Sequence, residues 1–181
     1  MNRAVFLDRD GVISENNDNG TLSWEDFHFL PNTFQGLEKL QKLCLKLVVF
    51  TNQSKIGKGK VTRKEVEAIN NKMKSQLEEL DIHLDAIYMC PHTDKDNCVC
   101  RKPNTGMLNK AVADLDINLK QSFVIGDSTC DILAGNRAGC KSILVLTGHA
   151  GKDNKHQCKP NFIADDLLEA ARIIQKELNR N

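Results

Sequence analysis

Asp8 and Asp10 stand one residue apart at the end of the apolar run Val5-Phe6-Leu7, and Gly11 follows at once. In an extended chain, next-but-one side chains share a face at about 7 Å spacing. Both carboxylates are therefore expected to face one space, with Arg9 turned away. Such a pair suits a hard cation, a nucleophile with an acid/base partner, or both. The plainer alternative is a surface turn, because Asp and Gly favour turns. Thr51-Asn52-Gln53-Ser54 offers hydroxyl and amide groups at the end of a second apolar run, suited to holding a phosphoryl oxygen. Its alternative is a cap-like turn. Arg101-Lys102-Pro103 supplies two cations, or a solvated charge pair. Gly126-Asp127-Ser128-Thr129-Cys130-Asp131 places two carboxylates four residues apart where a helix begins, as site groups or as helix caps. Cys90, His92, Cys98 and Cys100 form a Cys₃His set able to close a zinc tetrahedron, which would be structural because it leaves no position for water. Three buried thiols are the alternative reading, but the segment around them is polar.

These groups need a frame that brings their segments together. Apolar runs at residues 3–8, 45–50, 86–89, 122–125, 142–146 and 162–164 read as strands. Helical spacing is found over 33–44, 105–115, 131–138 and 166–178. The capping box Thr62-Arg63-Lys64-Glu65 opens another helix to about Leu80, with Val66, Ile69, Met73, Leu77 and Leu80 as its apolar stripe. Residues 9–31 and 147–160 are polar loops. Strands alternating with helices, each strand a continuous apolar run, predict an α/β fold: a doubly wound, mainly parallel sheet covered on both faces. In such sheets ligands bind beyond the carboxyl ends of the strands. Asp8, Asp10, Thr51, Asn52 and Asp127 all fall at such ends.

The chain has 181 residues, 40% of them hydrophobic, and is expected to form one domain, 1–181, with the Cys/His loop at 90–103. A net charge of +1 gives no electrostatic case for nucleic acid or a membrane, and scarce aromatics weigh against base stacking. No apolar run approaches the roughly 20 residues of a membrane span. The first strand begins at once, leaving no room for a signal peptide, and three of the seven cysteines crowd into residues 90–100 as metal ligands would; both predict a cytoplasmic protein.

Taken in order, D-x-D-G, T-N-Q-S, K and G-D-x-x-x-D resemble the haloacid dehalogenase superfamily, whose members are mostly phosphatases working through an aspartyl-phosphate. The insert from Cys90-Pro91-His92 to Cys98-Val99-Cys100-Arg101-Lys102-Pro103 looks like its zinc-loop branch, which holds heptose-bisphosphate and histidinol-phosphate phosphatases. The resemblance implies Asp8 as nucleophile and Asp10 as acid, then base. Asp8, the Asp10 carbonyl and Asp127 would ligate catalytic Mg²⁺. Thr51 and Lys102 would neutralise the phosphoryl oxygens, and Asn52, Gln53, Ser54 and Arg101 would bind substrate. Asp131 would order Lys102 or a metal-bound water. Structural Zn²⁺ on Cys90, His92, Cys98 and Cys100 would hold Arg101 and Lys102 over the site.

The segment 51–60 resembles the heptose branch, with Lys55 and Lys58 where that branch carries glycine and arginine. The five-residue gap between His92 and Cys98 is also found in the histidinol branch. The expected substrate is a small phosphorylated sugar, heptose 1,7-bisphosphate losing its C7 phosphate in activated-heptose and lipopolysaccharide precursor synthesis. Histidinol phosphate is the alternative, and a non-catalytic zinc module a remoter one. A monomer with a minimal cap is expected.

Overall fold

The computed structural model describes residues 1–17 and 20–180. Asp18 and Asn19, at the centre of the first predicted loop, lie outside the described residues. The chain runs β1 (Ala4–Leu7), α1 (Thr33–Lys42), β2 (Lys46–Asn52), α2 (Ser54–Gly57), α3 (Arg63–Glu78), β3 (Ala86–Cys90), α4 (Gly106–Leu115), β4 (Phe123–Gly126), α5 (Thr129–Ala138), β5 (Lys141–Val145), β6 (Phe162–Ala164) and α6 (Leu167–Leu178). The six strands form one sheet in the order β3-β2-β1-β4-β5-β6, and every pairing is parallel. Strand order reverses between β1 and β4, the place where doubly wound sheets open their crevice.

Alternation along the central strands explains the two covered faces. Val5, Leu7, Leu47 and Val49 join a core with Leu37 and Leu40 of α1, Ile69, Met73 and Leu77 of α3, and Ile174 of α6. Ala4, Phe6, Val48 and Phe50 join the opposite core with Met107, Leu108 and Ala111 of α4 and Ala134 of α5. Burial of a large apolar side chain contributes about 1.5–3 kcal/mol, so the sheet, packed on both faces, is the rigid part of the molecule.

Helix ends follow local chemistry. The expected capping box opens α3: the Thr62 side chain accepts from the Glu65 N–H, and Glu65 accepts from the Thr62 N–H. Leu80 does not extend the α3 stripe; it lies past the helix end and is 52% exposed. The first helix stops short of Cys44, which turns into the left-handed region at φ 55°. β2 runs on through Thr51 and Asn52, and α2 occupies what reads in the sequence as a loop. α5 starts two residues before Asp131, because Ser128 and Asp131 close a capping box of their own. No helix among the described residues is long and apolar enough to cross a membrane.

Candidate active site

The carboxyl ends of β1, β2 and β4 meet the Arg101–Lys102 turn around a cavity of about 340 Å³. On its floor, carboxylate oxygens of Asp8, Asp127 and Asp131 lie within 4.8 Å of one another. The Lys102 ammonium, buried at 3% exposure, sits among them, 2.9 Å from Asp8 Oδ1 and 2.6 Å from Asp131 Oδ1. It also donates to the Phe50 carbonyl at 2.9 Å and lies 4.3 Å from the Phe50 ring centre.

Burial, reinforced by the Asp131 charge, pushes Asp8 well above the usual carboxylate range; Lys102 opposes it. Burial and Asp131 likewise push Asp127 up to about 7, against the His149 N–H that donates to it. Burial draws Lys102 down, but Asp131 and Asp8 outweigh it and hold the ammonium above its ordinary value. Once all three carboxylates are ionised, they and the one ammonium leave two negative charges in a buried space, which one divalent cation cancels. Asp131 Oδ1 is buried and, although close to Lys102, has no hydrogen bond of acceptable geometry. The turn after β1 adds a further oxygen. The N–H groups of Val12, Ile13 and Ser14 all donate to the Arg9 carbonyl and that of Gly11 to the Ser14 carbonyl, so among the described residues no N–H of the turn uses the Asp10 carbonyl. An all-oxygen donor set with excess negative charge fits Mg²⁺.

The Asp10 carboxylate stands apart from the floor cluster. It accepts from Arg9 Nη2 at 3.0 Å, Gln53 Nε2 at 2.8 Å, Thr21 Oγ1 at 3.2 Å and Ser14 Oγ at 3.3 Å. Arg9 is thus not turned away, as strand alternation predicts. β1 ends at Leu7, and the guanidinium folds back, fully buried, onto Asp10.

β2 delivers buried Thr51 to the cavity, and Gln53 bridges Thr51 and Asp10. Asn52 and Ser54 line the same cavity. Both ends of the Asn52 amide are engaged: Nδ2 donates to the Lys102 carbonyl at 3.2 Å, and Oδ1 accepts from the Lys102 N–H at 3.1 Å. Asn52 therefore fixes the lysine's backbone. Arg101 also faces the cavity but pairs with Asp94 at 2.6 Å and donates to the His92 carbonyl at 3.2 Å, which ties it to the Cys/His loop.

In that loop the side-chain donor atoms of Cys90, His92, Cys98 and Cys100 gather, with close pairs at 3.2 to 3.5 Å. A tetrahedral zinc ion with bonds of about 2.3 Å to sulfur and about 2.1 Å to nitrogen spaces its ligands about 3.5–3.8 Å apart. The four atoms are near that spacing, and the chemistry of the set fits zinc.

Sequence reasoning missed the strap formed by residues 147–153. The His149 N–H donates to Asp127 Oδ2 at 2.7 Å, the Gly151 N–H to the Asp127 carbonyl at 2.7 Å, and Thr147 Oγ1 to the Gly11 carbonyl at 2.6 Å. Asp153 accepts from Thr129 N–H and Oγ1 at the start of α5. Gly148, at φ +60°, lies so close to Gly11 and the Asp127 carboxylate that any side chain there would collide with both. The Thr147-Gly148 pair after a strand is the one signal the sequence offered.

The HAD-hydrolase-like family model matches residues 99–170. A D-glycero-beta-D-manno-heptose-1,7-bisphosphate 7-phosphatase of Helicobacter pylori is 43% identical over 93% of this chain and 98% of its own length. The chain belongs to this family of haloacid dehalogenase-like phosphatases. A Haemophilus influenzae member with the same name is 35% identical over 97% of this chain and 98% of its own. The crystal structure of D,D-heptose 1,7-bisphosphate phosphatase from B. bronchiseptica, complexed with magnesium and phosphate, superposes with a TM-score of 0.90 at 32% identity. It covers 97% of this chain and 99% of that one. The six-stranded parallel sheet is the fold of this family.

Proposed function

We propose that the protein removes the C7 phosphate of D-glycero-D-manno-heptose 1,7-bisphosphate through a covalent phosphoenzyme on Asp8, within activated-heptose and lipopolysaccharide precursor synthesis. The observation that carries this reading is the joining of Asp8, Asp127, Asp131 and Lys102 in one buried cluster at the β1–β4 crevice. The names of the relatives at 43% and 35% identity support the substrate, and support it over histidinol phosphate.

Mg²⁺ held by Asp8, the Asp10 carbonyl and Asp127 would offset the repulsion between a carboxylate and a phosphate dianion. The chain's own groups do the rest. An Asp8 oxygen bonds to phosphorus while the bond to the sugar oxygen breaks, and Asp10 gives that oxygen a proton. Asp10 then takes a proton from water, whose oxygen displaces Asp8 from phosphorus. Lys102, which already touches Asp8, balances the charge on the phosphoryl oxygens, and Thr51 donates a hydrogen bond to them. Gln53 keeps Thr51 and Asp10 in register. Arg101 and Ser54, with the Asn52 amide beside Lys102, contribute to the wall that receives the sugar phosphate. Asp131 orders Lys102. Zn²⁺, if bound by Cys90, His92, Cys98 and Cys100, would keep Arg101 and Lys102 in place, without chemistry of its own.

The test is phosphate release in Mg²⁺ from heptose 1,7-bisphosphate, both anomers, beside histidinol phosphate. The bisphosphate should be the better substrate by kcat/KM. Faster turnover of histidinol phosphate would reverse the substrate, and no release from any sugar phosphate would leave a zinc-binding module.

A further inference from the structure

Arg9 is the largest side chain fully buried in the protein, and the reaction outlined above gives it no step. Its guanidinium joins two elements. Nε and Nη2 donate to Asp10, at 3.2 Å to Oδ1 and 3.0 Å to Oδ2, a fork on one carboxylate. Nη1 points the other way and donates to Asn70 Oδ1 of α3 at 2.8 Å. Asn70 is 5% exposed and touches none of the reacting groups; it sits on the wall of a separate cavity between α3 and β3.

We infer that Arg9 and Asn70 are positioning residues for proton transfer by Asp10. The planar fork fixes the orientation of the Asp10 carboxyl group. A guanidinium held only by its Asp10 edge could rotate in its slot; the Asn70 carbonyl oxygen fixes the opposite edge. A buried donor left without a partner is costly, so loss of Asn70 forces the guanidinium to seek another acceptor and to carry Asp10 with it. The rigid body of α3 thereby sets where the acid stands relative to the leaving oxygen.

The inference rests on the proposed phosphatase reaction, and one comparison separates the two. A sugar alkoxide leaves only with the proton from Asp10, whereas p-nitrophenolate leaves with the electron pair alone and needs none. Both leave the same phosphoryl group on Asp8. Asn70→Ala and the isosteric Asn70→Asp are each compared with wild type in Mg²⁺, with circular dichroism checking the fold. Asn70→Asp keeps the side chain's shape and places a second carboxylate in competition for Arg9.

A general acid contributes about 10²–10⁴-fold, so its displacement should cost about 10- to 100-fold in kcat on the sugar phosphate. The pre-steady-state burst of p-nitrophenolate should stay within about twofold of wild type, because that step is free of the acid. A burst that falls in proportion to the sugar-phosphate rate would make Asn70 a structural residue and overturn the inference. Unchanged rates on both substrates would overturn it as well. A wild-type protein inert on both compounds would remove the phosphatase reading, and the inference with it.

Discussion

In the proposed reaction Asp8 is the nucleophile, and its neighbours decide how it behaves. Asp8→Asn keeps the shape and removes the nucleophile, so turnover should fall by more than about 10³-fold while the melting temperature stays close to that of wild type. Phosphate-release kinetics beside a thermal melt check this; a near-normal rate would end the covalent mechanism. Asp8, Thr51 and Asp127 were legible as letters because each lies at or beside the end of a strand, and parallel strands bring those ends to one rim; Lys102, twelve residues past the end of β3, was legible only through the family resemblance. The direction of Arg9 was not legible. Alternation applies only inside a strand, and β1 ends one residue before Asp8. Asn52 illustrates a second limit: a side-chain amide reads as a ligand contact, but its partner here is the backbone of Lys102, fifty positions on. No local pattern encodes a partner at that distance.

Among the elements, the Cys/His loop has the most to position for its size. Its last cysteine is followed directly by Arg101 and Lys102, and its start is the end of edge strand β3. Cys98→Ser should cost one equivalent of zinc by metal analysis and lower kcat/KM by about 10- to 100-fold, the usual scale for a broken support around a metal-tuned group. A zinc-free variant with full activity would remove the orienting role. The strap over residues 147–153 holds Asp127 as this loop holds Arg101, but in the sequence it reads only as a polar loop. Backbone N–H groups do the holding, so residue type leaves almost no trace beyond Gly148. The element pattern itself was readable because fully buried parallel strands must be apolar throughout. The boundaries that moved, at Leu80, Cys44 and Thr129, moved for reasons of helix ends and not of the periodicity.

For the whole molecule, the acidic floor couples folding to pH and to metal. Asp8 and Asp127 hold protons in the folded, metal-free protein more tightly than an unfolded chain does, where such groups titrate near about 4. Unfolding then releases protons, so the stability of the metal-free protein should fall as pH rises from about 4 through about 7. Mg²⁺ held by the ionised carboxylates, as proposed, should reverse that slope, raising the melting temperature more at pH 8 than at pH 5. Melts at both pH values with and without Mg²⁺ check this, and a magnesium shift larger at pH 5 would contradict it. The sheet order has an effect that reaches back to synthesis. β1, which leads into Asp8, is made before the other five strands yet ends in the middle of the sheet, and Lys102 and Asp127 follow roughly a hundred residues later. A nascent chain that stops short of Asp127 holds Asp8 without the two later carboxylates of the floor cluster, so on the proposed mechanism the ion site closes only once β4 and the start of α5 have been made.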